Sequence, residues 1–157
     1  TASTAFTIQG DTTADVMTVR TGANTNNNVG AIVFRDGAQD YCGQIVVNGQ
    51  NNSVGYVTSS DYRLKENVDY TWDATTRLKQ LKPARFNWIS DPTNTLIDGF
   101  LAHEVSNIVP EAVTGEKNGI DEDGNPVYQG IDQAKLVPLL VKTIQELEAR
   151  IETLENA

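Results

Sequence analysis

The stretch Ser59-Ser60-Asp61-Tyr62-Arg63-Leu64-Lys65-Glu66-Asn67 divides the chain. Before it, the sequence is rich in Thr, Asn and Gly, which reads as strand and turn. After it come helix patterns, paired charges and a final heptad run. The contrast predicts an α+β chain in two parts. Residues 1–59 form a β-rich segment. Residues 60–157 form a small α+β domain that ends in a long helix.

The 157 residues suffice for one domain or two small ones. Leu, Ile and aromatics are sparse before residue 60. Segment 1–59 buries little surface alone and is expected to need partner chains. The formal charge is -9, which argues against nucleic acid or an anionic membrane as the main partner. Residues 1–59 hold four Asp and two Arg, a charge of -2, so residues 60–157 carry the other -7. The single cysteine, Cys42, rules out an intrachain disulfide and a cysteine-based zinc site, and is expected to be a buried strand thiol. No apolar run approaches the roughly 20 residues of a membrane helix, so no membrane insertion is expected. No leader pattern is read, and Thr1 reads as a position inside a longer protein.

Upstream of the hinge, residues 3–9 and 15–20 are β-prone, and Gly22 to Gly30 reads as a loop. Ala31 to Arg35 predicts a strand, turned at Asp36-Gly37. Tyr41 to Val47 returns, Asn48 to Ser53 turns again, and Val54 to Thr58 closes a meander. So small a meander is marginal by itself. Interleaving of three chains, as in a fibre shaft or tip, would supply the missing core.

Downstream, Asp73 is placed to cap a short helix through Leu81, with Leu78 and Leu81 inward and Pro83 as the stop. Ala84 to Trp88 and Asp98 to Ala102 predict strands. His103 to Ile108 predicts a short helix ended by Pro110, and Glu116 to Gln129 a polar loop or hairpin. Val137, Leu140, Ile144, Leu147, Ile151 and Leu154 alternate spacings of three and four. That is a coiled-coil seam with Val or Ile at a and Leu at d, which by itself leans towards two strands. The ordinary alternative is an amphipathic helix lying on its own domain. Pro138 suits the first turn, and a helix from there to Asn156 would be about 28 Å long.

Four blocks, in order, carry a resemblance. They are Ser60-Asp61-Tyr62-Arg63-Leu64-Lys65-Glu66-Asn67-Val68; Leu81-Lys82-Pro83-Ala84-Arg85-Phe86-Asn87-Trp88; Gly99-Phe100-Leu101-Ala102-His103-Glu104-Val105 with Val109-Pro110-Glu111; and Leu136-Val137-Pro138-Leu139-Leu140-Val141-Lys142 with Ile144-Gln145-Glu146-Leu147. Over residues 60–157 the chain resembles the endosialidase-type intramolecular chaperone, the C-terminal module of phage tail spikes, tail fibres and neck appendages. His103 departs from the pattern, where glutamine is expected in many relatives. The resemblance implies a homotrimer with bundled C-terminal helices, overruling the two-strand preference of so short a seam. It implies autoproteolysis between Ser59 and Ser60, with Ser60 as nucleophile and Lys65 as its partner. Segment 1–59 would then be the C-terminal end of a mature tail fibre, carried on the virion and meeting a host surface receptor such as a glycan. The released chaperone would stay in the host cytoplasm, where assembly occurs. No cofactor is implied.

A Ser–Lys dyad needs a neutral amine to take the hydroxyl proton. An ordinary lysine, with a pKa near 10.4, is neutral in only about one molecule in 2,500 at pH 7. Lys65 is therefore expected to be buried when the chains assemble, which would couple cutting to correct folding. The spacing of five adds a constraint. Two such residues lie about 140° apart on an α-helix and on opposite faces of a strand. Either a turn lies between them or a neighbouring chain supplies the lysine; the same chain is preferred. Asp61 and Arg63 would pair and hold the turn. The competing reading is local: Thr58-Ser59-Ser60-Asp61 resembles a capping box, with Lys65 solvated and the ion pair of little value.

Asp121-Glu122-Asp123-Gly124-Asn125 resembles a calcium loop, but its Gly comes early and no Glu stands at the twelfth position, so a polar turn is expected and no metal. His103 with Glu104 is a candidate proton pair, more simply read as structural. The alternative function is a permanent trimeric clamp that never cuts, with a receptor-binding tip in 1–59. Release of a membrane-tethered regulator, as in myelin regulatory factor relatives, fits poorly with a sequence lacking a membrane segment and a basic domain.

Overall fold

The computed structural model describes residues 29–157. The strands expected over 3–9 and 15–20, and most of the loop from Gly22, lie outside the described residues. The chain divides into two compact units, one ending at Val68 and one running from Asp69 to Ala157.

The first unit holds β1 (Val29–Arg35), β2 (Tyr41–Asn48) and β3 (Ser53–Thr58), an antiparallel sheet in the order β1-β2-β3. Its two turns follow from their side chains. The Asp36 carboxylate accepts the N–H groups of Ala38 and Asp40, both at 2.9 Å. The amide oxygen of Asn48 accepts those of Gln50 at 3.1 Å and Asn51 at 3.4 Å. β2 and β3 approach so closely at Gly43 that a Cβ there would collide with the Val57 carbonyl. Ile32, Ile45 and Tyr56 are cross-strand neighbours on one face. Ile32 is 37% exposed and Tyr56 83%. Val46 is the single buried hydrophobic residue of this unit among the described residues. One such side chain contributes about 1.5–3 kcal/mol, against about 1–2 kcal/mol of backbone entropy for every residue ordered. The sheet therefore lacks a core of its own among those residues.

Cys42 is exposed, not buried as its strand position suggested. The β1–β2 register slips between Phe34 and Arg35, whose partners are Gly43 and Tyr41, so Cys42 is skipped by the ladder. Its thiol lies 3.6 Å from the Asp40 carbonyl.

The second unit packs around Ala74, Val105, Val109, Ala112, Leu136 and Leu139. Asp73 caps α1 (Ala74–Leu78) by accepting the Thr76 N–H at 3.0 Å. The α-helix stops at Leu78, short of Leu81, which follows in a turn and packs on the core with Leu78. β4 (Ala84–Phe86) pairs antiparallel with β5 (Ile97–Gly99). β4 ends before Trp88, which stands edge-on to Phe86 with ring centroids 5.5 Å apart. The chain leaves the ladder there because Asp91 gathers the next loop, accepting from the N–H and hydroxyl of Thr93 and the N–H of Thr95. These bonds hold the Asp91 carboxyl at a pKa of about 2. Ala102, expected to end a strand, instead starts α2 (Ala102–Val105), which is shorter than the helix expected through Ile108. β6 (Val113–Thr114) pairs with β9 (Gly130–Ile131), and β7 (Gly119–Ile120) with β8 (Pro126–Val127) as the hairpin anticipated after Glu116.

The C-terminal α3 spans Val137–Glu155 and packs against α1. It has two apolar faces. Leu139 and Thr143 are 2% and 3% exposed and point into the unit. The Glu146 carboxylate, on the same face, accepts the N–H of Ala74 at 3.0 Å, the N–H of Thr75 at 2.8 Å and the Thr75 hydroxyl at 2.6 Å. It thereby satisfies donors that the first turn of a helix leaves without partners. The Ala74 N–H, then the Thr75 hydroxyl and N–H, hold the Glu146 carboxyl below its ordinary value.

Two outcomes follow. The Thr143 hydroxyl is buried with no hydrogen-bond partner among the described residues. Thr143→Val keeps the shape and removes that group, so chemical denaturation should show stabilisation of about 1 kcal/mol. The Glu146 bonds favour the ionised carboxylate. Their stabilisation is full above the ordinary glutamate pKa of about 4.3 and is lost as pH falls through the lower folded value. Glu146→Gln should therefore melt below the parent chain at neutral pH, and the gap should close in acid, as followed by circular dichroism.

Candidate functional site

β3 does not end the ladder cleanly, because the Ser59 N–H still donates to the Cys42 carbonyl at 3.0 Å. Three residues later the chain coils into a 3₁₀ turn, Tyr62–Leu64, with Asp61 as its cap. Asp61 Oδ1 accepts the Arg63 N–H at 2.9 Å. The Arg63 guanidinium returns a fork to the same carboxylate, Nε to Oδ1 and Nη2 to Oδ2, each at 2.9 Å. That fork, then the Arg63 N–H, holds the Asp61 carboxyl below the usual carboxylate range. Carbonyls of Asp61 and Tyr62 accept the N–H groups of Leu64 and Lys65, both at 3.1 Å. Lys65 leaves the turn with extended backbone, φ -127° and ψ 140°.

The turn brings the ends of the five-residue gap together. Lys65 Nζ lies 2.7 Å from Ser60 Oγ, a hydrogen bond within one chain. The two residues belong to neither a helix nor a strand, whose geometries would have kept them apart. An open groove of about 800 Å³ runs beside Ser60, lined by Ser59, Ser60, Asp61 and Arg63 together with Asp40 and Tyr41. Asp40 and Tyr41 were not picked out from sequence. The antiparallel β2–β3 pairing carries the start of β2 to the end of β3, so hairpin register was the signal that would have found them. Residues 59–65 are all exposed in the single chain, with Tyr62 81% and Leu64 71% accessible. Ser60 and Lys65 thus form a hydrogen-bonded pair that is exposed in the single chain.

Residues 60–114 match the family described as the chaperone of endosialidase. The match opens at Ser60, the residue whose hydroxyl meets Lys65. It supports an intramolecular chaperone of the phage kind over that segment, from a family of self-cleaving chaperones. No curated protein matches the chain.

Within the matched chaperone segment, His103 is half-buried on α2 and lines a cleft beside the β7–β8 hairpin. Glu104 does not join it, since its carboxylate faces Lys82 Nζ at 3.4 Å. Beyond the match, Asp121 spends its carboxylate on its own turn, accepting the N–H groups of Asp123 at 3.0 Å and Asn125 at 2.7 Å. No group of three or more His, Cys, Asp or Glu side chains is poised for a metal among the described residues. No helix among them is long and apolar enough to cross a membrane. The six seam residues, also beyond the chaperone match, form a bare stripe along α3. Exposure runs from 44% at Leu147 to 69% at Leu154.

Proposed function

We propose that residues 60–157 are a trimerisation chaperone which folds the end of a phage tail fibre and then releases itself by cutting between Ser59 and Ser60. One observation carries this reading: the amine of Lys65 is hydrogen-bonded to the hydroxyl of Ser60, the first residue of the family match. In its neutral form Lys65 Nζ takes the proton of Ser60 Oγ as that oxygen attacks the carbonyl carbon of Ser59. The tetrahedral intermediate collapses by breaking the Ser59–Ser60 C–N bond, and the lysine returns the proton to the departing amine. An ester between the Ser59 carbonyl and Ser60 Oγ results. Water, deprotonated by the same amine, hydrolyses the ester to a Ser59 carboxylate and a free Ser60 hydroxyl.

The exposed state of the dyad in the single chain argues for assembly as the trigger. A solvated lysine is rarely neutral near pH 7, and close packing of neighbouring chains would remove the water. The uncovered seam of α3 and the uncovered sheet face of residues 29–58 both fit a homotrimer. Residues 1–59 would remain on the virion as a fibre end suited to a host-surface glycan, while the chaperone is left in the host cytoplasm.

Denaturing mass spectrometry of the purified chain should give two pieces divided at Ser59–Ser60. Ser60→Ala should give one intact piece that still assembles, since only a hydroxyl is removed. Lys65→Arg should also stay whole, because a guanidinium does not deprotonate near neutrality. An intact parent chain would favour the permanent clamp, and cleaved Ser60→Ala would remove Ser60 as nucleophile. Leu147→Asp places like charges at one buried layer of the bundle. It should shift light scattering from trimer towards monomer and slow cutting in step.

A further inference from the structure

Asp61 poses a problem for the dyad. It adjoins Ser60 in sequence, lies on the same short turn as Lys65, and its carboxylate feels the lysine charge. A free carboxylate there would stabilise the ammonium form, the form that cannot act as a base. In the structure that carboxylate is not free. Both of its oxygens are held by Arg63, through Nε and Nη2 at 2.9 Å each. Lys65 Nζ meanwhile bonds to the neutral hydroxyl of Ser60.

We infer that Arg63 is a positioning residue for self-cleavage: by engaging both oxygens of Asp61 it keeps that carboxylate from pairing with Lys65, and leaves the amine to Ser60. The inference rests on the Ser60–Lys65 reading above. The geometry explains why an arginine suits this position. A planar guanidinium matches two carboxylate oxygens at once, whereas an ammonium is a single point charge. The value of the pair is therefore not stability, since exposed ion pairs contribute little. Its value is the cancellation of one negative charge beside the base. Asp40, just before β2, lines the same groove as Ser60, and Glu66 follows Lys65 along the chain. With Arg63 gone, the Asp61 carboxylate beside the lysine would lose the guanidinium that holds both of its oxygens.

Full-length chain recovered unfolded in urea is diluted into buffers of rising pH, and the two fragments are followed on denaturing gels. Arg63→Gln should slow cutting near neutrality by about three- to tenfold, a modest screened effect. The deficit should shrink towards about pH 9, where more amine is neutral, and in about 1 M salt, where the Debye length is short. The double variant Arg63→Gln with Asp61→Asn should regain the parent rate. The asparagine oxygen can still accept the Arg63-position N–H, so the turn keeps its cap. A deficit equal at all pH and salt values, and not rescued by Asp61→Asn, would reduce Arg63 to a brace of the turn and overturn the inference. A parent-like rate for Arg63→Gln would overturn it as well. Nitrogen-15 NMR of the Lys65 side chain in uncut Ser60→Ala separates this from failure of the dyad itself. Adding Arg63→Gln should make Lys65 hold its proton to higher pH, and an unmoved titration overturns the inference whatever the gels show.

Discussion

A gap of five residues cannot bring two side chains together on a regular helix or strand, and the site depends on how the chain escapes that limit. The escape is one carboxylate. Asp61 accepts a backbone N–H to start the 3₁₀ turn and holds Arg63 at the same time. The turn shortens the path from Ser60 to Lys65 until amine and hydroxyl touch. Everything chemical at the hinge follows from that local contraction. The pair is built within one chain, since no residue beyond the turn and the end of β3 is needed to build it.

A second economy operates in α3. Successive helical residues lie 100° apart, so Leu139 and Leu140 face different neighbours. Leu139, Thr143 and Glu146 join the helix to α1 and the core, while Leu140, Ile144 and Leu147 remain outside. The two readings offered by the heptad run, a seam or a helix lying on its own domain, are not exclusive. One helix has room for both. Glu146 fixes its rotation, because a carboxylate bonded to two successive N–H groups of α1 tolerates little turning of the helix that bears it.

Much of this was legible in advance. The hairpin turns at Asp36 and Asn48 announced themselves through residues that bond their own backbone. The Asp73 cap and the periodicity of residues 137–154 were equally local signals. What was hidden shares one cause, dependence on partners distant in sequence. Cys42 is exposed because the opposing strand slips its register. The early end of β4 is the local exception, because Asp91 organises the loop beyond it through Thr93 and Thr95. Glu146 reaches residues more than seventy positions away, and Asp40 and Tyr41 reach the hinge only through strand pairing. At the site, the motif pointed to Ser60 and Lys65 as candidates. Their contact, and the way Arg63 occupies Asp61, required coordinates.

The bare sheet carries a consequence for the life of a single chain. β3, Ser-Val-Gly-Tyr-Val-Thr, is an outer strand of the described sheet and holds neither a charge nor a proline. Those are the devices by which proteins discourage strands from adding to a stranger's sheet. Among the described residues the outer edge of β3 has no partner strand, which makes it a template for adding a strand from another chain. Under the proposed trimer reading, tethering such a strand to a helix that gathers chains in register would turn a hazard of solution chemistry into a race with a favoured winner.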